Sequence, residues 1–193
     1  INLAAYFLTL SGLLIFHGVV VYGLLLKATT GLSPGILRSK MRRVWAFAFS
    51  TASSGATLPI TLRTVEKRLG VPKSVAGFAI PLGATVNMDG TAIMQGVATV
   101  FIAQVYGIEL SAMQLLMVIL TATLASIGTA AVPGVGLITL SLVLTQAGLP
   151  VEGVALIIGV DRLLDMIRTA VNVTGDATVA TIVAYREGQL DET

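Results

Sequence analysis

The chain has 193 residues, 55% of them hydrophobic and 11% charged, with no cysteine, a formal net charge of +2 and a mean hydropathy of +0.90. This profile excludes disordered, collagen-like and disulfide-stapled classes, and the apolar runs exceed what one water-soluble core could bury, so lipid is the main solvent. The charge is too small and the basic residues too localised for nucleic acid; they read as orientation signals.

Residues 1–26 are the first apolar run, long enough to span a roughly 30 Å hydrocarbon core as a tilted transmembrane helix. The run begins on Ile1 without a start Met or a basic leader, which reads as part of a longer polypeptide. Lys27, Arg38, Lys40, Arg42 and Arg43 follow with no acidic residue among them, so the positive-inside rule places this stretch in the cytoplasm. Residues 44–62 are apolar again, and Arg63, Lys67, Arg68 and Lys73 then stand against Glu66 alone. With both flanks basic the segment does not cross. Ser53-Ser54-Gly55 followed by Pro59 supplies a break, and the expectation is a re-entrant hairpin from the inside.

Residues 74–106 carry one charge, Asp89, and lead into Gly107-Ile108-Glu109-Leu110, which has no base. They are expected to cross outward as a broken transmembrane helix. Residues 113–149 carry no charge and are interrupted by Gly128-Thr129-Ala130-Ala131-Val132-Pro133-Gly134. Their flanks lack bases on both sides, which predicts a second re-entrant hairpin, this one from the outside. Residues 154–185 run inward to Arg186 as a transmembrane helix carrying Asp161, Arg162, Asp165, Arg168 and Asp176. The fold class expected is therefore all-α, a multi-pass membrane protein with two oppositely oriented helical hairpins. The last four elements form an inverted repeat, echoed in Thr85-Val86-Asn87-Met88-Asp89-Gly90 and Ala170-Val171-Asn172-Val173-Thr174-Gly175-Asp176. Broken helices at matching positions of such a repeat point to a transporter site near the bilayer midplane.

In the last helix Asp161, Asp165, Arg168, Asn172 and Asp176 follow at spacings of 4, 3, 4 and 4, which lines them along one face. An ionised side chain at the centre of a membrane helix costs about 2.5–3.5 kcal/mol on insertion scales, so these groups need partners or a watery cavity. With Asp89 the inventory is four carboxylates against Arg162 and Arg168, a surplus of negative charge that cations would fill. Na⁺ prefers oxygen ligands, as hard cations do, and no imidazole or thiolate cluster points to zinc or copper. Arg168 offers a fork of donors to an anionic substrate group, and Asp165 one turn away offers a partner for an ammonium. Helix ends at the hairpin tips can present backbone N–H groups to a second carboxylate. Together these read as a site for an acidic amino acid. By residue type alone Met88 and the lone His17 read as packing or structural residues, and Asp161 with Arg162 as a structural pair or as tuning of the site.

These residues resemble the dicarboxylate/amino acid:cation symporter family, the excitatory amino acid and archaeal aspartate transporters. Ser53-Ser54-Gly55-Ala56-Thr57-Leu58-Pro59 is similar to its first hairpin tip and Asn87-Met88-Asp89-Gly90-Thr91 to its seventh-helix signature. Residues 126–134 are similar to its second hairpin, and Asp165 to Asp176 to its eighth helix. The resemblance covers essentially the whole chain. It implies that residues 1–193 are one fragment of an elevator-type transport domain, the sixth helix through the eighth, with scaffold helices, third helix and trimeric assembly belonging to the full-length chain. It implies substrate contacts at Ala52, Ser53, Ser54, Thr91, Val132, Gly136, Asp165, Arg168, Thr169 and Asn172. Among these, Asp165 takes the amino group and Arg168 with Thr91 takes the side-chain carboxylate. It implies sodium ligands at Gly83, Thr85, Asn87, Met88, Asp89, Ser126, Ile127, Thr129, Asn172 and Asp176. Gln95 stands where potassium-coupled animal members carry a glutamate, which argues against potassium antiport.

The function expected is Na⁺-coupled symport of glutamate or aspartate in the plasma membrane, with no cofactor besides the coupling ion. Proton-coupled symport of a dicarboxylate or of a neutral amino acid is the alternative within the family. Two other classes are more distant. A channel would also use re-entrant hairpins, but an arginine at its centre makes a poor cation pore. An intramembrane protease would use Asp89 with Asp176 as a dyad, or a serine with His17, and neither needs Arg168.

Overall fold

A computed structural model describes residues 3–191, and helices are the only regular structure among them. Residues 1 and 2 of the expected 1–26 helix lie outside the described residues. The helix itself runs from Leu3 to Thr30 and is long and apolar enough to cross a membrane. It comprises α1 (Leu3–Phe16), a π turn (His17–Val21) and α2 (Tyr22–Thr30), and it stops at Gly31, whose φ of +74° favours a residue without a Cβ.

The first helix pair is α3 (Pro34–Thr51) and α4 (Ser54–Arg68), which pack on one another. Both ends lie outside the 44–62 expected from hydropathy. Ser33 caps α3 through the Gly35 N–H and Pro34 opens it, so the helix includes Arg38, Arg42 and Arg43 on its exposed face. The break falls at Ala52-Ser53 rather than at Ser53-Ser54-Gly55. Ser53 caps α4 by accepting the Ala56 N–H at 3.1 Å, so Ser54 and Gly55 belong to the first turn. Pro59 lies within α4, where its ring removes only the bond to the carbonyl of residue 55.

The next helix is broken into α5 (Lys73–Val86) and α6 (Asp89–Val105), with Asn87 and Met88 in non-helical conformations between them. The second helix pair is α7 (Ala112–Ile127) and α8 (Val135–Gln146), joined through residues 128–134. A 3-10 turn (Val151–Leu156) leads into α9 (Ile158–Arg186), whose 29 residues extend about 43 Å.

Two apolar cores result. One gathers Leu10, Leu14, Met94, Ile102, Leu140 and Leu144 with Leu164 and Val171 of α9. The other gathers Leu26, Leu37, Met41, Val44, Val65 and Ile80 with Val173, Ala177, Ala180 and Ala184 of α9. α9 therefore passes through both, and each core belongs mainly to one helix pair. Large apolar side chains such as Leu8, Phe78, Met113, Ile119 and Ile138 lie exposed on the outside, a surface suited to lipid or to further protein.

Candidate functional site

Between the two cores the three chain breaks meet. Ser53 Oγ donates to the Ala131 carbonyl at 2.7 Å and the Gly55 N–H donates to the same oxygen at 3.0 Å, so the two helix pairs touch tip to tip. Ala52, immediately before, has φ of +49°, and it is the one non-glycine residue in the left-handed region among the described residues. For alanine that conformation costs roughly 1–2 kcal/mol, strain of the kind held at ligand sites when the surroundings over-determine it.

Beneath the tips lies a cavity of about 20 Å³ lined by Ala52, Ser54, Met88, Thr91, Thr129, Ala130, Ala131, Val132, Gly136, Asp165, Arg168, Thr169 and Asn172. Ser54, Thr91 and Gly136 come from the first turns of α4, α6 and α8, so the electropositive ends of three helices converge on one point. That volume admits about one water and no amino acid. A larger occupant would need a tip to move; of the lining residues Val132 is 55% exposed.

Arg168 is 2% exposed. Its Nε and Nη2 donate to Asp165 Oδ1 at 3.2 and 2.7 Å, and its Nη1 donates to Asp161 Oδ1 at 3.3 Å. Asp165 Oδ2 accepts the Gly134 N–H at 3.0 Å, at a glycine whose φ of +80° turns the chain into α8. The two groups expected to hold opposite charges of a substrate thus hold one another. The expected pairing of Asp161 with Arg162 is corrected: adjacent residues point away from each other on a helix, whereas residues seven apart share a face. Arg162 is exposed and lines an outer groove between α8 and α9.

The expected sodium ligands fall into separate groups. Asp176, 2% exposed, accepts the Asn87 amide at 2.9 Å, and the same amide reaches the Asn172 carbonyl at 3.3 Å. No basic side chain pairs with Asp176 among the described residues. Gly83 lies so close that a Cβ there would strike the Asp176 carboxylate. Asn172 Oδ1 accepts the Gly90 N–H at 2.8 Å, and its amide nitrogen lies 3.2 Å from Met88 Sδ. Ser126 and Thr129 are buried at the end of α7, while Ile127 is 42% exposed. The Thr85 hydroxyl donates to the Leu82 carbonyl at 2.9 Å. Asp89 has partners of its own. Its Oδ2 accepts the Tyr22 hydroxyl at 2.8 Å and lies 3.2 Å from His17 Nε2.

Sequence reasoning missed Tyr22 and read His17 as structural. Their signal is a π turn, which reading by α-helical period does not find. It also missed Trp45, whose indole N–H donates to Thr174 at 2.7 Å and ties α3 to α9.

A family model described as the sodium:dicarboxylate symporter family matches residues 1–186. The chain is 50% identical over 190 residues to an excitatory amino acid transporter of Caenorhabditis elegans, covering 98% of this chain and 38% of that protein. It is 46% identical over 184 residues to excitatory amino acid transporter 2 of Homo sapiens, covering 95% and 32% of the two chains. With excitatory amino acid transporter 1 of Homo sapiens it shares 44% over 184 residues, covering 95% and 34%. The chain thus spans less than two fifths of the length of each of these relatives.

Proposed function

Because the chain belongs to the sodium:dicarboxylate symporter family, we propose that it is the substrate-binding part of a secondary active transporter that couples Na⁺ to the uptake of glutamate or aspartate across the plasma membrane. The observation that carries this reading is the buried Arg168–Asp165 pair where three helix N-termini converge. An acidic amino acid presents one group for each member: its side-chain carboxylate to Arg168 with Thr91, its ammonium to Asp165. Asn172, Thr169 and the backbone at Ala52, Ser53, Ser54, Val132 and Gly136 surround the main-chain groups. Binding exchanges the Arg168–Asp165 ion pair for two ion pairs to the ligand, one for each member.

Sodium is cargo in this scheme. Gly83, Asn87, Asn172 and Asp176 serve one ion, the carbonyl-rich end of α7 (Ser126, Ile127, Thr129) with Thr85 and Met88 a second, and Asp89 with Asn87 a third. Asp176 supports this most directly, since a carboxylate buried at membrane depth without a cationic partner invites a cation. The α3–α4 and α7–α8 pairs are re-entrant hairpins from opposite sides, and the second gates the site. The chain moves as one elevator-type domain against the scaffold of a homotrimer.

The test is calorimetric binding of L-aspartate and L-glutamate to the purified chain with and without Na⁺, beside Arg168→Ala. Sodium-dependent binding abolished by that substitution is expected. Binding indifferent to both sodium and Arg168 overturns the proposal.

A further inference from the structure

The π turn between α1 and α2 serves nothing in the fold described so far. Residues five apart on an α-helix point about 140° away from each other. The π turn closes a bond from the Tyr22 N–H to the His17 carbonyl and so brings these two side chains to one side of the helix. Their rings meet edge to face at 4.7 Å, and both polar tips converge on a single atom, Asp89 Oδ2. Two donors on one oxygen leave the other oxygen of the carboxylate for a further partner. Asp89 opens α6 beside the Asn87-Met88 break with a side chain 43% exposed, and the contacts that hold its Oδ2 come from His17 and Tyr22 of the first helix.

The Tyr22 hydroxyl has a second neighbour. A Cβ built on Gly175 would strike both that hydroxyl and the Asn87 amide nitrogen, so the two groups crowd the same point on α9. Asn87 in turn donates to Asp176. Tyr22 is therefore wedged between the surroundings of Asp89 and those of Asp176, neither of which forms an ion pair with an arginine or lysine among the described residues.

We propose that His17 and Tyr22, brought side by side by the π turn, are positioning residues for the coupling cation: they clamp one oxygen of Asp89 so that the other faces the ion, and Tyr22 links that site to Asp176. This rests on the cation-coupled reading above. A clamp with only a structural role, tying α1 and α2 to α6, would affect stability and leave the sodium dependence alone.

The experiment is L-aspartate binding to the full chain in lipid nanodiscs, titrated over sodium concentration, for the unmodified protein and for Tyr22→Phe, His17→Ala and His17→Gln. Losing one hydrogen bond to a charged group is expected to raise the sodium concentration for half-saturation roughly tenfold in Tyr22→Phe and His17→Ala. The slope of the sodium dependence should fall in Tyr22→Phe, while aspartate affinity at saturating sodium stays unchanged. His17→Gln, which keeps a donor, should recover most of the loss. Sodium requirement and slope unchanged in the folded variants overturn the proposal, as does a parallel fall in sodium and aspartate affinity. Tyr22→Phe preserves the side-chain volume and decides alone if His17→Ala does not fold. Absence of sodium-dependent binding in the unmodified chain is a different result, which overturns the transporter reading and the clamp with it.

Discussion

If Arg168 takes a substrate carboxylate as proposed, Asp161 competes with it, and Asp161→Asn measures that competition. Asp165 engages two guanidinium nitrogens of Arg168 at 3.2 and 2.7 Å, whereas Asp161 takes only Nη1 at 3.3 Å. The three groups are 7%, 2% and 4% exposed for Asp165, Arg168 and Asp161 and together carry one excess negative charge. At 3.3 Å the gross attraction between unit charges is about 5 kcal/mol for an effective dielectric of 20. Desolvation offsets most of that, and converting a charge-assisted hydrogen bond into a neutral one forfeits about 1.4 kcal/mol. Asparagine keeps the accepting oxygen and removes the charge that repels an incoming carboxylate. Asp161→Asn should therefore bind L-aspartate about tenfold more tightly at saturating sodium, with no comparable gain for a neutral amino acid such as L-serine. Isothermal titration of both ligands is the assay. Weaker aspartate binding in a folded variant would refute the reasoning and assign Asp161 the opposite part, holding Arg168 in its binding orientation.

Two further outcomes follow from the same geometry. The chain contains no cysteine, so Val132→Cys creates a single thiol at the exposed tip of the second helix pair. Its reaction with a membrane-impermeant thiol reagent should proceed from the outer face and slow when sodium and aspartate are added together; a rate indifferent to ligand would count against gating by residues 128–134. In Gly90→Ala the new Cβ would lie 2.9 Å from the Arg168 carbonyl and from Asn172 Oδ1, where backbone cannot yield. Overpacking of this kind costs roughly 1–3 kcal/mol, so the thermal unfolding midpoint should drop and aspartate binding weaken together. An unchanged midpoint would mean that α6 and α9 are less closely packed than described.

Much of the architecture is written locally. The breaks near residues 52, 87 and 128–134 are legible because glycine, serine and asparagine interrupt long apolar runs. The buried face of α9 is legible because spacings of 3 and 4 put five polar residues in one line, and all five are indeed buried. Hydropathy placed the start of α3 ten residues late because its basic residues, carried on an exposed face, look like a loop; the Ser33-Pro34 cap was the better signal.

Residue order alone specifies which groups are polar within the apolar runs, on which helix face they stand, and near which residues the helices break. These depend on composition, on the sign of flanking charges and on a fixed helical period. Packing alone settles which groups meet between helices. The Ala131 carbonyl that joins the two tips carries no residue-type signal, since every residue has one. Arg168 pairs with Asp165 and Asp161 of its own helix at spacings of 3 and 7, which residue order already carries, whereas Asp89 meets His17 and Tyr22 of another helix because a π turn changes the local period. Partners 67 and 72 residues apart are brought together by packing two cores around α9, a global outcome that no window of neighbouring residues contains.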